Sequence, residues 1–417
     1  MSARHIAIVG AGIVGVASAI WLRRAGHDVT LVDRAEPGMG ASFGNGGILA
    51  SCSVVPVTVP GLIARGPKYL LDRDFPLFLR WGYSLKLLPW LVRYLANAND
   101  ADTRRISRAL TTIVGDSLEQ HQALAAGTEA EKWLRESDYS YVYADRAAFE
   151  ADAYGWELRR EAGFVPEIIE GPQVHEREPI LSRGIKLLAV NRNHGFILDP
   201  GAYVRALAAH FQAAGGRFMR AEVKDFDLSG GRIHAIETDQ GRIDCDGAVL
   251  AAGVWSGPLM KKLGVTVPLE AERGYHIVYR NPSQVPNDPM MLADGKFVAT
   301  PMSRGLRCAG IVEFGGLTDE PSKAPLALLR RKVRQVFPEL VAEAEEEWLG
   351  FRPAPSDSLP LLGEIGTTGV FAAFGHHHIG LTGGPKTGRL VADLIRGQAI
   401  NHDMRPFAPM RFASGQQ

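Results

Sequence analysis

The chain has 417 residues, of which 46% are hydrophobic and 22% are charged, and its formal net charge is +0. This composition is typical of a globular protein rather than a disordered chain, and the length is sufficient for two packed domains. The balanced charge gives no electrostatic reason to expect a nucleic-acid partner. Three cysteines without the paired spacing of a metal motif fit a reducing compartment, and no signal peptide is recognised, so a cytoplasmic location is expected.

The N-terminal segment predicts a strand, a turn, a helix and a second strand. The run from His5 to Val9 is short and apolar, as in a buried parallel strand. The helical pattern that follows stops at Gly26, and the second strand covers Val29 to Val32. One βαβ unit is therefore expected at the start of the chain.

The turn of this unit has the sequence GAGIVG, which matches the dinucleotide-binding pattern G-x-G-x-x-G. Gly10 permits the tight turn, Gly12 lets the backbone approach a pyrophosphate, and Gly15 lets the helix pack closely on the strand. Asp33 ends the second strand, where it could accept hydrogen bonds from ribose hydroxyls. The alternative is a glycine turn without a ligand, which the flanking strand and helix disfavour.

A second glycine cluster, GMGASFGNGGI, favours FAD over NAD. An NAD dehydrogenase continues with further regular βαβ units at this point, and this sequence does not. Ser42 and Asn45 offer short polar groups that suit the ribityl chain and pyrophosphate of a longer cofactor. Gly46 and Gly47 offer bare backbone amides, and Arg34 is assigned to the same cofactor site.

The stretch from 60 to 165 is predicted to be mostly helical. Within it, the apolar segment from Leu77 to Leu95 contains three basic residues and Pro89, so a membrane-spanning helix is not expected. An amphipathic helix of the domain is the preferred interpretation. A helix lying on a membrane surface, on the inner face of the cell membrane, is the alternative.

The second half of the chain returns to strands. A helix ending at Gly215 precedes a small β-meander and the apolar strand in AVLAAG. Alternating residues from 266 to 315 predict further strands, residues 322 to 347 a polar helix, and KTGRLVADLIRG a last helix. The interleaved segments predict two discontinuous domains, a cofactor domain of 1–55, 165–262 and 348–417 and a substrate domain of 56–164 and 263–347.

Motifs along nearly the whole chain resemble the FAD-dependent D-amino-acid oxidase superfamily, and within it the D-amino-acid dehydrogenases and hydroxyproline dehydrogenases. They are the opening βαβ unit and the segments GASFGNGGI, GAVLAAGVWS, ERGYHI, GFRPAPSDSLPLLGE and GHHHIGLTGGPKTGRLVADLI. The resemblance implies an α/β fold with a Rossmann-type, glutathione-reductase-like FAD domain and an α+β substrate domain whose antiparallel sheet covers the flavin. It also implies cofactor contacts beyond the two glycine clusters, at Val223, Gly253, Trp255, Gly375, Gly380, Leu381 and Thr382.

The activity that this resemblance implies is oxidation of a D-amino acid, or of a cyclic imino acid such as a proline derivative, by hydride transfer to flavin N5. The alternatives are a secondary-amine, opine or sarcosine-type oxidase subunit and, in another class, a flavin-binding protein without catalysis. The electron acceptor, oxygen or a quinone, and any partner subunits are left open.

The candidate catalytic residues surround the flavin. Arg352 stands where the family carries an arginine that binds the substrate carboxylate, a task that suits a planar guanidinium. Tyr275 and His276 are adjacent on a predicted strand, so only one of them can face the flavin. Both have an alternative role in sheet packing.

Three consecutive histidines, His376, His377 and His378, precede the last helix. Neighbouring residues of a strand point to opposite faces, so the three cannot converge on one metal ion, and no metal site is predicted. His377 or His378 is predicted to face the substrate, and the alternative is that all three are structural. The helix that follows, with Pro385 expected at its start, would present open N–H groups to the reduced flavin ring.

Overall fold

Three β-sheets organise the part of the chain that the computed structural model describes, residues 3–72 and 74–413. The strands, in chain order, are β1 (His5–Val9), β2 (Asp28–Asp33), β3 (Ile48–Leu49), β4 (Leu77–Leu79), β5 (Leu134–Tyr143), β6 (Glu167–Glu170), β7 (Leu187–Ile197), β8 (Arg217–Arg220), β9 (Val223–Ser229), β10 (Arg232–Thr238), β11 (Gly241–Asp244), β12 (Gly247–Leu250), β13 (Leu269–Arg280), β14 (Met290–Leu292), β15 (Phe297–Met302), β16 (Gly305–Phe314), β17 (Ala344–Pro355), β18 (Leu361–Glu364) and β19 (Val370–Phe374).

The helices pack on these sheets and connect them. They are α1 (Ile13–Arg24), α2 (Leu62–Leu71), α3 (Ser84–Ala96), α4 (Asp100–Val114), α5 (Ser117–Ala125), α6 (Arg146–Ala151), α7 (Ala153–Glu161), α8 (Pro172–Arg177), α9 (Pro200–Ala213), α10 (Ser256–Lys262), α11 (Lys323–Val336) and α12 (Gly380–Ile395). Short 3₁₀ turns cover Trp81–Tyr83, Glu131–Trp133, Gly253–Trp255, Arg405–Phe407 and Pro409–Phe412.

The six-stranded sheet has the order β18-β19-β12-β1-β2-β8 and contains the predicted βαβ unit. Its central strand β1 is parallel to both β2 and β12, and all of its residues after His5 are buried. Helices α1 and α12 cross closely on one face. A Cβ at Gly388 would lie only 2.6 Å from the backbone nitrogen of Ser18, so this crossing leaves room for glycine alone. The predicted meander is also present, as the small sheet β11-β10-β9.

The ten-stranded sheet is built mainly from antiparallel pairs and follows the order β17-β13-β16-β15-β14-β5-β7-β3, with β4 and β6 added at its side. Its face toward the six-stranded sheet forms one wall of a large cavity, described below. The α/β fold with an antiparallel sheet agrees with the prediction. The sheet takes β3, β6, β7 and most of β17 from segments assigned to the cofactor domain, and the predicted domain bounds stay a prediction.

Two local predictions were wrong. The polar helix of 322–347 ends at Val336, and the acidic residues beyond Ala344 instead extend β17, which pairs along all of β13. The last helix starts at Gly380, so Pro385 lies inside it rather than at its first position. The stretch from 60 to 165 is mostly helical, as predicted, and also contains the strands β4 and β5.

Candidate functional site

One cavity of about 1880 Å³ separates the six-stranded sheet from the ten-stranded sheet. This volume exceeds the range of ordinary small-ligand sites and is large enough for an extended cofactor together with a substrate. The predicted site residues that line it are Gly10, Gly12, Asp33, Arg34, Ser42, Asn45, Gly46, Val223, Gly253, Trp255, Tyr275, Arg352, Gly375, His377, His378, Gly380, Leu381 and Thr382. The remaining three, Gly15, Gly47 and His276, lie behind this wall and support it.

The first glycine turn leaves no room for side chains at two of its positions. Gly10 has a φ of 108°, and a Cβ there would lie 2.5 Å from the carbonyl oxygen of Ala251. A Cβ at Gly15 would lie 1.8 Å from the carbonyl oxygen of Gly10. These two glycines therefore fix the turn itself, as the fingerprint requires.

Gly12 differs from them, because its φ of −72° suits any residue and an added Cβ would meet only the Ser42 hydroxyl, at 3.4 Å. We expect Gly12→Ala to fold normally but to bind FAD at least about tenfold more weakly, since the methyl group would point into the space needed by a pyrophosphate. Calorimetric titration of the apoprotein with FAD checks this. Gly82→Ala, where a Cβ meets nothing within 4 Å, is the control and should bind FAD normally. Equal FAD affinity in the two variants would contradict a phosphate site at Gly12.

Asp33 and Arg34 follow β2 at the edge of the cavity. The Asp33 carboxylate accepts hydrogen bonds from the N–H of Ala11, at 2.7 Å, and of Ala35, at 2.9 Å. It therefore holds the first glycine turn against the end of β2. The Arg34 guanidinium packs 4.0 Å from the ring centre of Trp255. Val223, across the cavity edge, completes this end of the site.

The second glycine cluster is tied to α1 and to the ten-stranded sheet. Ser42 Oγ accepts a hydrogen bond from the N–H of Ile13 at 3.0 Å, which joins the cluster to the start of α1. Asn45 Oδ1 accepts from the N–H of Gly47, whose φ is 77°. Arg307 on β16 donates to the carbonyl oxygens of Phe43 and Asn45, at 3.0 and 2.7 Å. These hydrogen bonds hold the loop with its inner backbone on the cavity.

The N-terminus of α12 points into the opposite end of the cavity. Gly380, Leu381 and Thr382 line it, and no side chain caps this helix. The first N–H groups of a helix have no partner within it, so they are available to an acceptor atom of a ligand. Thr382 Oγ1 donates to the carbonyl oxygen of Ile48, at 3.3 Å, which joins this turn to β3. These features fit the electron-rich edge of a flavin ring.

The three histidines lie in the loop after β19, not in a strand, and they have different surroundings. His376 is buried and shares a hydrogen bond of 2.9 Å with Thr387 Oγ1, and burial lowers the pKa of His376 to about 3. His377 has a φ of 51° and is bonded to Glu272. His378 is exposed on the wall of the cavity, where the enclosing protein and then the charge of His377 lower the pKa of His378 to about 3. Among the described residues no group of three or more His, Cys, Asp or Glu side chains could hold a metal ion.

The half-buried Arg352 forms one hydrogen-bonded group with the buried Glu272 and His377. Glu272 and Arg352 are register partners on β13 and β17, and Arg352 Nη1 donates to Glu272 Oε1 at 2.5 Å. The other oxygen, Oε2, bonds His377 Nε2. Burial alone would raise the pKa of Glu272, but the charges of His377 and Arg352 outweigh burial and hold this pKa well below its usual range. Glu272 therefore fixes one edge of the guanidinium while the rest of Arg352 lies against Gly274 at the cavity.

Tyr275 and His276 face opposite sides of β13, as predicted for adjacent strand residues. The Tyr275 hydroxyl donates to Glu313 Oε2 at 2.7 Å and accepts from the N–H of Ser322 at 3.1 Å. His276 Nδ1 lies 3.0 Å from the carbonyl oxygen of Gly44, and its ring stacks on Trp348. The structure gives both side chains structural partners, and their catalytic roles stay predictions.

The sequence interpretation did not select Glu272, Arg307 or Trp348 as site residues. Glu272 is the first residue of the motif ERGYHI, but only its register with Arg352 reveals the ion pair. Trp348 fills the space left by Gly44, where a Cβ would lie 2.0 Å from the indole. No local pattern distinguishes these residues from ordinary strand residues.

The chain was compared with known proteins. A family model described as FAD dependent oxidoreductase matches residues 5–394. The D-amino-acid oxidase of Bradyrhizobium diazoefficiens is 39% identical, over 98% of this chain and 99% of that protein. The D-amino acid dehydrogenase of Rhizobium johnstonii is 30% identical, again over 98% and 99%. The crystal structure of glycine oxidase from Geobacillus kaustophilus has the same fold, with a TM-score of 0.75, 22% identity and 99% of each chain covered.

Proposed function

Because this chain belongs to the family of FAD-dependent oxidoreductases, FAD is its cofactor, and we propose that it oxidises the amine of a D-amino acid or of a cyclic imino acid. The names of the two relatives, D-amino-acid oxidase and D-amino acid dehydrogenase, support this class of substrate. The single observation on which the proposal depends is the position of Arg352, a guanidinium that Glu272 holds in the wall of the same cavity as the N-terminus of α12.

Different residues of the cavity bind the two reactants, FAD and the substrate. The two glycine clusters, with Asp33, Ser42 and Asn45, hold the phosphates and sugars of FAD, and the start of α12 receives its ring. When bound, FAD supplies an acceptor for two electrons. Arg352 holds the substrate carboxylate, so that the Cα–H bond has one orientation in the cavity, and such orientation contributes much of the rate of reactions of this kind.

All three histidines line the cavity, but His378 is the exposed one, and its lowered pKa of about 3 keeps its ring neutral. A neutral ring can accept a hydrogen bond from the substrate amine. The amine loses two electrons and two protons to become an imine, which water hydrolyses to a 2-oxo acid and ammonia, or to the open-chain product of a cyclic substrate.

Anaerobic reduction tests the proposed function. The holoprotein is mixed with paired D- and L-amino acids, proline and hydroxyproline isomers included, and the flavin absorbance near its visible maximum is followed without oxygen. Loss of the yellow colour with D-amino acids and not with their L-enantiomers is the expected result. Bleaching by sarcosine-type secondary amines alone would instead identify the chain as an oxidase of those amines. Colour that persists with every amine would contradict amine oxidation.

We further propose that the protein contacts an anionic membrane surface through the segment from Trp81 to Val92. Leu85, Leu88 and Val92 occupy one face of α3, and Leu85 is 83% exposed. The neighbouring Lys86 and Arg93 are exposed as well. A row of exposed apolar residues with basic neighbours is typical of helices that lie in a membrane interface. No helix within residues 3–72 and 74–413 is long and apolar enough to cross a membrane.

Sedimentation with lipid vesicles tests this contact. The wild-type protein is expected to sediment with phosphatidylglycerol vesicles, and Leu85→Glu to remain in the supernatant. Val165→Glu changes another highly exposed apolar residue, 73% exposed, in a different part of the chain and should behave as wild type. Wild-type protein that stays in the supernatant would show that the exposed face of α3 has a different role.

A further inference from the structure

A second positively charged group lies on the same cavity, away from Arg352. The alternate residues Tyr139, Tyr141 and Tyr143 of β5 point to one face of the ten-stranded sheet and line the cavity together, and we call them the tyrosine face. Arg159 of α7 lies above the tyrosine face and also lines the cavity. Neither Arg159 nor the tyrosines have a role in the binding of FAD described above.

Arg159 is only 7% exposed, yet its hydrogen bonding is incomplete. Its Nη2 donates to the Tyr141 hydroxyl at 3.2 Å, and its guanidinium carbon packs 4.4 Å from the Tyr141 ring centre and 4.7 Å from that of Trp156. Within the described residues, Nε and Nη1 have no hydrogen-bond partner. The nearest carboxylate oxygen, Asp152 Oδ2, is 3.8 Å from Nη1, which is too far for a hydrogen bond.

An unsatisfied buried donor is costly, and the cost is larger for a charged group. Arg159 is held in place by two aromatic rings and one hydroxyl while two of its nitrogens still need acceptors. Nε and Nη1 are themselves almost inaccessible, so a carboxylate in the cavity reaches them only if the guanidinium turns toward it. The hydrogen bonds that the carboxylate then accepts are charge-assisted.

The tyrosine face adjoins the reactive end of the cavity and not the end at Asp33. Tyr139 and Tyr141 belong to the same hydrophobic cluster as Ile48 and Ala50, which line the cavity. Ile48 in turn accepts the hydrogen bond from Thr382 at the start of α12. A ligand group bound by Arg159 would therefore extend from the region where the substrate is oxidised.

We infer that Arg159 and the tyrosine face form a second carboxylate-binding site, which selects amine substrates that carry two carboxylates. The inference rests on the proposed function, since Arg352 is assigned to the carboxylate next to the amine. Arg159 then binds the second carboxylate, as in an amino dicarboxylic acid. Its uncompensated donors explain why this cavity would favour an acidic side chain over an amide of equal size.

Two substrates of the same shape test the inference. D-glutamate and D-glutamine differ in a carboxylate and an amide, and the wild-type holoprotein should have at least about tenfold higher kcat/KM for D-glutamate. Arg159→Met is expected to lower kcat/KM for D-glutamate about fiftyfold and to leave that for D-glutamine within about twofold. Arg160→Met changes the next residue of α7, which is exposed, and should leave both values unchanged. Equal losses with both substrates in Arg159→Met would overturn the inference.

A binding assay separates this inference from the proposed function. Glutarate has two carboxylates and no amine, and butyrate has one, and both can be titrated while the flavin absorption spectrum of the holoprotein is recorded. We expect glutarate to bind more tightly than butyrate in the wild type and to lose this advantage in Arg159→Met. If no amino acid is oxidised but this difference is found, the proposed function fails and the second site stands. If Arg159→Met does not fold, equal affinity of the wild type for the two acids is sufficient to overturn the inference.

Discussion

Arg352→Ala is expected to lower kcat/KM about a thousandfold while the protein keeps its FAD. The guanidinium is the proposed partner of the substrate carboxylate, and a charge-assisted pair in an enclosed site contributes roughly 1.5 to 3 kcal/mol. Loss of the fixed orientation raises the barrier further, and a thousandfold change corresponds to about 4 kcal/mol. Steady-state kinetics with the best D-amino acid gives the rate, and the ratio of visible to ultraviolet absorbance gives the FAD content.

Two further variants separate a direct role of Arg352 from a general loss of charge. Arg352→Lys keeps the charge but loses the planar fork, so an intermediate rate is expected. Arg304→Ala removes an exposed arginine that is paired with Glu346 on the same strand as Arg352, and it should leave kcat/KM within about twofold. An unchanged kcat/KM in Arg352→Ala would remove this residue from the substrate site. A loss that parallels loss of FAD would assign it to cofactor binding instead.

The parts of the fold that depend on local pattern could be predicted from the sequence. The opening βαβ unit agrees closely with the prediction because its apolar run, its glycines and its helix stop at Gly26 are neighbours in the chain. The meander β9 to β11 is also local, since each turn joins adjacent strands. In both cases the residues that determine the structure lie within one element or one turn of each other.

Predictions failed where a distant partner decides the structure. Residues Glu345 to Glu347 have the polar composition of a helix, yet they form a strand because β13 supplies a full-length partner at Ile277 to Tyr279. Two of these glutamates also pair with Arg330 of α11, which helps them to lie on an exposed strand. Strand propensity depends on such packing more than helix propensity does.

In the candidate site, too, local patterns indicated some residues, while residues that depend on distant partners were missed. The sequence indicated Arg352 and the histidines, but their partner Glu272 lies 80 positions before Arg352 and meets it only through strand register. Arg159 was not selected at all, because an arginine on a short polar helix is usually exposed. Its burial follows from the contact of α7 with the tyrosine face, which no pattern near residue 159 encodes.

Two buried glutamates on β13 allow the effect of ion pairing on stability to be separated from the effect of burying a carboxylate. Glu270 and Glu272 are both buried and stand two residues apart. Burial raises the pKa of Glu270, and hydrogen bonds from Tyr83 and the N–H of Ala271 only partly offset this. The pKa of Glu272 is instead held low by its contacts with His377 and Arg352. Replacement by glutamine keeps the size, removes the charge and turns one acceptor oxygen into an NH2 donor. Glu270 accepts both of its hydrogen bonds through Oε1, which glutamine retains, whereas Glu272 uses both of its oxygens.

Glu272→Gln is expected to lower the free energy of unfolding by about 3 kcal/mol at pH 7, since it leaves the half-buried Arg352 without its counter-charge and disrupts the hydrogen bond to His377. Glu270→Gln should leave this free energy unchanged or raise it, because it removes a charge that burial disfavours. Urea denaturation of both holoproteins, followed by fluorescence and by circular dichroism, gives the two values. Equal destabilisation in the two variants would mean that the free energy of unfolding depends on the shape of the buried site and not on its ion pairs.

The dependence on pH provides an independent check of the same pair. The folded protein keeps Glu272 ionised at pH values where the unfolded chain, with a carboxyl pKa near 4.5, already binds a proton. Ionisation of Glu272 therefore stabilises the folded state fully above about pH 5, and this stabilisation is lost progressively as the pH falls below 4.5 toward the lowered pKa of the folded state. The difference in stability between wild type and Glu272→Gln should decrease as the pH falls below about 5. A difference that grows as the pH falls through this acid range would have the wrong sign for an ion-paired carboxylate.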